Sequence, residues 1–149
     1  MENEKDKINE QIERYYRSWF RTNDLYDAWA KRHNIATNTL FALYVINTNK
    51  PECTQSQICN QLFLPKQTVS QILNELEKKG YVFKEVNLND RRNKNIKFTE
   101  KGVAFAIEIL GELKAAEIKA FGQLKEKELI NIMDNFELLN NTLETGLAE

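Results

Sequence analysis

Apolar residues recur along most of the chain at steps of three and four, and the step shortens to two in one stretch near residues 81–98. From about Lys7 to His33, Ile12, Tyr15/Tyr16, Trp19, Tyr26, Trp29/Ala30 and His33 trace a helical stripe with one skipped turn, uninterrupted by Pro or Gly. A second helix is expected from Thr37, acting as N-cap, to about Asn47, with Leu40, Phe41, Tyr44 and Val45 turned inward. Lys50-Pro51-Glu52 breaks it. Thr54-Gln55-Ser56-Gln57 has the form of a capping box, with Gln57 three residues after the N-cap Thr54. The short helix opened there buries Ile58 and Leu62 and gives way to Phe63-Leu64-Pro65. Pro65 suits the first turn of the next helix, where its missing N–H costs nothing. Val69, Ile72, Leu73 and Leu76 then lie at i, i+3, i+4 and i+7, a narrow core-facing stripe. Gly80, just past Lys78-Lys79, predicts a left-handed stop with cations at the helix end.

The period then changes. Tyr81 to Val86 is β-branched and aromatic, Asn87 to Asn95 is turn-like and basic, and Ile96 and Phe98 alternate with Lys97. Two short strands around a polar loop make a hairpin. Thr99-Glu100-Lys101-Gly102 opens another helix, with Val103, Ala106, Ile107, Leu110 and Leu113 expected on one side and a break at Gly122. A last helix, about Glu126 to Leu143, carries Leu129, Ile132, Met133, Phe136, Leu139 and Leu143. The pattern predicts a single domain over 1–149 that is mainly α with a small β-hairpin wing. A winged helix-turn-helix occupies about 37–101. Helices over about 5–33 and 103–147 cannot bury their stripes alone and are expected to pack together across a dimer.

The 42% hydrophobic and 29% charged composition is that of a globular domain rather than a disordered chain. No apolar run approaches the ~20 residues of a membrane span. The charged start of the chain holds no apolar signal core, so a cytoplasmic location is expected. The net charge of −1 conceals a split along the chain. Residues 1–64 carry 8 Lys/Arg and 8 Asp/Glu, residues 65–101 carry 9 and 5, and residues 102–149 carry 4 and 9. The middle stretch is therefore net +4, the sign asymmetry that a phosphate-facing element needs.

That stretch also holds unusual polar chemistry. With Val69 at the centre of the buried face, Gln67, Ser70, Gln71, Asn74 and Lys78 fall on the opposite side, with Lys66 and Thr68 flanking it after Pro65. Solvated helix faces favour Lys and Glu. Amides and hydroxyls suit base edges instead: Gln and Asn read adenine bidentately, and Ser and Thr serve bases or phosphates. Thr54 and Gln55, at the start of the preceding helix, are further candidate DNA contacts. The hairpin tip, Asn89 to Lys94, places Arg91, Arg92 and Lys94 together. An Arg there fits a narrow minor groove, with Asp90 able to orient one guanidinium. A merely charged hairpin and a polar solvent-facing helix are the plainer alternatives.

Residues 54–102 closely resemble the core of the multiple antibiotic resistance regulator (MarR) family. The stretches that match are Thr54-Gln55-Ser56-Gln57-Ile58, Pro65-Lys66-Gln67-Thr68-Val69-Ser70, Leu76-Glu77-Lys78-Lys79-Gly80-Tyr81, Asp90-Arg91-Arg92 and Phe98-Thr99-Glu100-Lys101-Gly102, in the family's order and spacing. Length and the flanking helices match as well. The resemblance implies a triangular homodimer with intertwined terminal helices and Arg92 in the minor groove. Many members are repressors released by a small ligand bound between the dimer helices and the DNA-binding lobe, and double-stranded DNA is the implied partner.

Other chemistries are weakly represented. Trp19, Tyr26, Trp29, His33, Phe41 and Tyr44 could line a pocket for a small aromatic or amphipathic effector. A helical aromatic stripe is more often core or dimer interface. His33 is the single histidine, and with Cys53 and Cys59 it lacks a metal-ligand spacing, so no metal or cofactor is expected. Cys59 is expected to be buried and Cys53 to lie exposed at a helix start. Peroxide-sensing members carry a reactive cysteine in the first helix, and here that helix has none. An enzyme is not expected: the glycines form no nucleotide-binding fingerprint, and no nucleophile motif accompanies the one histidine. A winged-helix module that binds only protein is the remaining class, and the amide-rich face argues against it.

Overall fold

The computed structural model describes residues 2–148. In chain order it contains α1 (Glu2–Arg32), α2 (Thr37–Asn49), β1 (Cys53–Thr54), α3 (Gln55–Leu62), α4 (Lys66–Lys78), β2 (Val82–Val86), β3 (Lys94–Phe98), α5 (Glu100–Phe121) and α6 (Glu126–Gly146). The chain divides into two compact units, with the boundary between Leu110 and Gly111.

The first unit is the winged helix with α1. Its core is made by Leu40, Leu43, Val45 and Ile46 of α2, Ile58 of α3, Val69, Ile72, Leu73 and Leu76 of α4, and Val82 and Ile96 of the sheet. Among the described residues no polar or charged side chain is buried. The sheet has three strands rather than two. Cys53 and Thr54 pair antiparallel with Ile96 and Asn95, so β3 lies between β1 and β2. The stretch before α3 thereby finds backbone partners in the wing.

Helix boundaries follow local chemistry. Thr54 caps α3 as the sequence predicts: its hydroxyl accepts from Gln57 N–H at 3.2 Å, and the Gln57 side chain accepts from Thr54 N–H at 2.8 Å. α3 ends at Phe63 in a left-handed conformation, φ 55°, with the ring almost wholly exposed. Pro65 is the N-cap of α4, directly ahead of its first helical residue. α4 ends in a Schellman motif: Tyr81 N–H donates to Leu76 at 2.9 Å and Gly80 N–H to Glu77 at 3.0 Å, with Gly80 at φ 78°.

Three expectations about facing need correction. Thr37 does not cap α2; Ala36 is the N-cap, and the Thr37 hydroxyl donates to Asp27 of α1 instead. Tyr44 is half exposed rather than inward. On α5 the buried positions are Gly102, Ala106, Ile109 and Leu113, while Val103 and Ile107 face outward. Close packing of Gly102 fixes that rotation, because a Cβ there would lie 1.8 Å from the Tyr81 carbonyl oxygen.

The second unit comprises the rest of α5 and all of α6. Leu113 is buried, but α6 buries no residue, and Ile130, Ile132, Met133, Phe136, Leu138 and Leu139 are all exposed along it. Ile8, Ile12, Trp19 and Phe20 on α1 are exposed as well. Among the described residues no helix is long and apolar enough to cross a membrane.

Candidate nucleic-acid interface

The hydrophobic stripe of α4 fixes what its other face presents. Val69 and Leu73 are fully buried, so Lys66, Gln67, Gln71, Asn74 and Lys78 are left exposed, with Thr68 and Ser70 half-buried beside them. Two of these polar groups already have partners. Ser70 Oγ accepts from Gln55 Nε2 of α3 at 2.7 Å, which ties the two helices of the helix-turn-helix together. Asn74 Oδ1 accepts from Lys84 Nζ of β2 at 2.7 Å. Gln67 and Gln71 make no side-chain hydrogen bond among the described residues, so both amides remain available to an incoming base edge.

Between α3, the start of α4 and the wing lies an open cleft of about 410 Å³. Gln55, Ser56 and Cys59 line it from α3, Lys66 from α4, and Lys84, Arg92, Asn93 and Lys94 from the wing. Four cations and no carboxylate converge on it. That charge pattern selects an anion, and a run of phosphates meets it better than a single carboxylate. Lys84, Ser56 and Asn93 were missed in the sequence. Lys84 reads as an ordinary strand cation, and Asn93 as turn material.

The loop of the wing, residues 87–93, is ordered by short side chains. Asn87 Oδ1 accepts from the backbone N–H groups of Asn89 and Asp90, and its Nδ2 donates to Asn95 Oδ1. Asp90 was expected to steer an Arg guanidinium. Instead its carboxylate accepts from the backbone N–H of Arg92 at 3.1 Å, an Asx turn that leaves the Arg91 and Arg92 side chains exposed. Lys97 pairs with Glu85 across the strands at 2.8 Å, a surface ion pair of little energetic weight.

The Thr99 to Gly102 segment joins these parts and touches none of the cleft. Thr99 Oγ1 donates to the Gly80 carbonyl at 2.5 Å and accepts from Gly102 N–H at 3.0 Å. Lys101 Nζ donates to the Lys79 carbonyl at 2.8 Å and lies 4.9 Å from the Tyr81 ring centre. The end of α4, the base of the wing and the start of α5 are thus locked at one point.

The aromatic residues of α1 and α2 fall into separate groups. Trp19 stacks with Tyr15, Tyr16 and Phe20; Tyr26 meets Phe41 at 5.6 Å; Trp29 stacks on His33 at 3.8 Å. His33 also borders a cavity of about 290 Å³ with Glu75, Lys79, Tyr81 and Phe105, which none of the other five candidate pocket residues lines. The two cysteines are reversed from expectation: Cys53 is fully buried and Cys59 half exposed. Burial pushes the Cys53 thiol up to about 11. Among the described residues no group of three or more His, Cys, Asp or Glu could hold a metal ion.

Comparison with known proteins agrees with this geometry. Residues 33–93 match the model of the MarR family. The chain is 32% identical over 78 residues to the HTH-type transcriptional regulator SarZ of Staphylococcus haemolyticus, a match covering 52% of each protein, about half the length of that relative. It superposes with a TM-score of 0.81 and 25% identity on NMB1585, a MarR family regulator from Neisseria meningitidis, covering 93% of this chain and 97% of that one. For FabT of Streptococcus pneumoniae in complex with DNA the TM-score is 0.70 at 25% identity, covering 92% and 98%. SarZ and NMB1585 are named as regulators, not as enzymes. Winged-helix fold, matched family model and cationic cleft concur: residues 33–93, the part of the chain that carries most of the cleft, are similar to the MarR family of transcription regulators.

Proposed function

We propose that the protein is a sequence-specific double-stranded DNA-binding regulator that acts as a homodimer on a pseudo-palindromic operator, as a ligand-responsive repressor in the cytoplasm. One observation carries the DNA reading: the exposed amides of Gln67 and Gln71 stand on the same lobe as a cleft with four cations and no carboxylate. The amides read base edges in the major groove, with Lys66, Thr68, Thr54 and Gln55 beside them on backbone or base. Arg92 enters the adjacent minor groove, where a narrow A·T tract concentrates negative potential, and Arg91 and Lys94 neutralise phosphates.

The homodimer reading rests on the exposed apolar faces of α1 and α6. Two-fold symmetry then places half-site centres about 10 bp apart on one face of the duplex. The effector reading rests on the aromatic groups of α1 and α2 and on the cavity bordered by His33, Tyr81 and Phe105, walls suited to a small aromatic or amphipathic molecule.

The deciding experiment selects bound sequences from random duplex DNA and titrates variants on the winner. Gln67→Ala and Gln71→Ala should each lose about 1–3 kcal/mol on the selected site and relax base preference, whereas Lys66→Ala should weaken all sequences alike. Unchanged ratios of specific to random binding in both Gln variants would remove α4 as the reader. Reporter transcription rising when the gene is deleted, and falling affinity with a ligand found by thermal-shift screening, test the repressor and effector parts.

A further inference from the structure

The wing loop owes most of its order to side chains that bond within the wing, Asn87 to Asn89, Asp90 and Asn95, and Asp90 to Arg92. Asn93 is different. Its Oδ1 accepts from the hydroxyl of Ser56 at 3.1 Å and, at a long 3.4 Å, from the Ser56 backbone N–H. Ser56 is the second residue of α3, where a backbone N–H has no acceptor within the helix. The wing tip supplies one. Beside Ser56, Gln55 donates to Ser70 of α4, so a hydrogen-bonded path runs from the wing through the start of α3 to the recognition helix.

Asn93 directly follows Arg92, whose side chain is exposed in the cationic cleft. Fixing Asn93 against α3 therefore fixes the point from which the Arg92 guanidinium extends. We propose that Asn93 is a positioning residue for DNA recognition: it clamps the wing to the N-terminus of α3 and holds Arg92 at a set distance from the amides of Gln67 and Gln71. This rests on the DNA reading above. A docked loop has less conformational freedom to lose on binding than a swinging one, and a fixed spacing between groove contacts restricts which DNA fits. Asn93 is half-buried and its oxygen is engaged by Ser56, which removes the bidentate contact an amide makes to adenine and leaves its role to run through Arg92.

The test uses the full chain as wild type, Asn93→Ala, Arg92→Ala and the double variant. Each is titrated on the selected site and on a copy with G·C pairs in place of the A·T pairs flanking the half-sites. Asn93→Ala should weaken specific binding about tenfold and erase the preference for A·T flanks. The slope of affinity against salt should not change, because no cation is removed. On the Arg92→Ala background the same change should cost little more. Ser56→Ala, which deletes the shorter bond and leaves the loop sequence intact, should give a smaller loss of the same kind. Full additivity of Asn93 and Arg92 would show direct DNA contact by Asn93 and overturn the proposal.

Amide hydrogen exchange on the free protein separates the clamp from the DNA reading. Exchange over residues 87–93 should rise in Asn93→Ala. Unchanged exchange overturns the clamp while the DNA reading survives. Raised exchange in a protein that prefers no DNA sequence overturns the DNA reading and leaves the clamp a structural contact only.

Discussion

Cys53 shows how much a single buried group says about pH. Its thiol is raised from 9.0 to about 11 by desolvation, so the folded chain holds the proton more tightly than the unfolded chain does. The stabilisation is complete below pH 9, and it is lost as pH rises through the folded value. Stability should fall between about pH 9 and pH 11, by roughly 2–3 kcal/mol at most. Urea midpoints of Cys53→Ala should lack that part of the decline; parallel curves for the two proteins would exclude the thiol as its source. Backbone demands give a second pair of residue-level outcomes. Gly102→Ala forces a Cβ into the Tyr81 carbonyl and should cost at least about 2 kcal/mol, read as a lowered thermal midpoint. Phe63→Gly should instead stabilise by roughly 0.5–1 kcal/mol, since it relieves a left-handed phenylalanine whose ring packs on little. A lowered midpoint for Phe63→Gly would mean the exposed ring has contacts that its burial does not reveal.

Among elements, α3, α4 and the strands of the hairpin were legible because their signals are local. A capping box spans four residues, the Val69–Leu76 stripe two turns, and the Gly80 stop one residue after two lysines. β1 was not legible, since its partner strand lies far along the chain and two residues carry no period. The same distant pairing carries Cys53 into the interior. The face of α5 was misjudged because Ala106 and Ile107 are adjacent and both apolar; packing of Gly102 on Tyr81 decides between them. In the wing, residue types were read correctly as turn formers, but which atom bonds which was not. Asp90 makes the difference testable. Asp90→Asn keeps the oxygen that accepts from Arg92 N–H and should leave DNA affinity within about threefold, whereas Asp90→Ala should disorder the loop and lose about tenfold. Equal losses in the two variants would restore a charge-based pairing with the guanidinium.

At the scale of the whole molecule, charge is unevenly divided along the chain. Residues 65–101 carry 9 basic against 5 acidic side chains, while residues 102–149 carry 9 acidic against 4 basic ones. Within the acidic stretch, α6 displays Met133, Phe136 and Leu139 to solvent, a face that the dimer reading covers with a second copy. Phe136→Glu should then yield a monomer in light scattering and lose most specific DNA affinity while the circular dichroism of the winged helix persists. A dimeric Phe136→Glu protein would place the interface elsewhere. An isolated helix of this length is marginal in water without a partner for its apolar side. On the dimer reading, the order of residues 126–146 therefore depends on how much of the protein is present, and the thermal midpoint should climb with protein concentration. Dilution would unravel a segment that proteases then reach, so scarcity would hasten clearance. Such a regulator has a floor in copy number, beneath which its hold on a promoter collapses rather than fades.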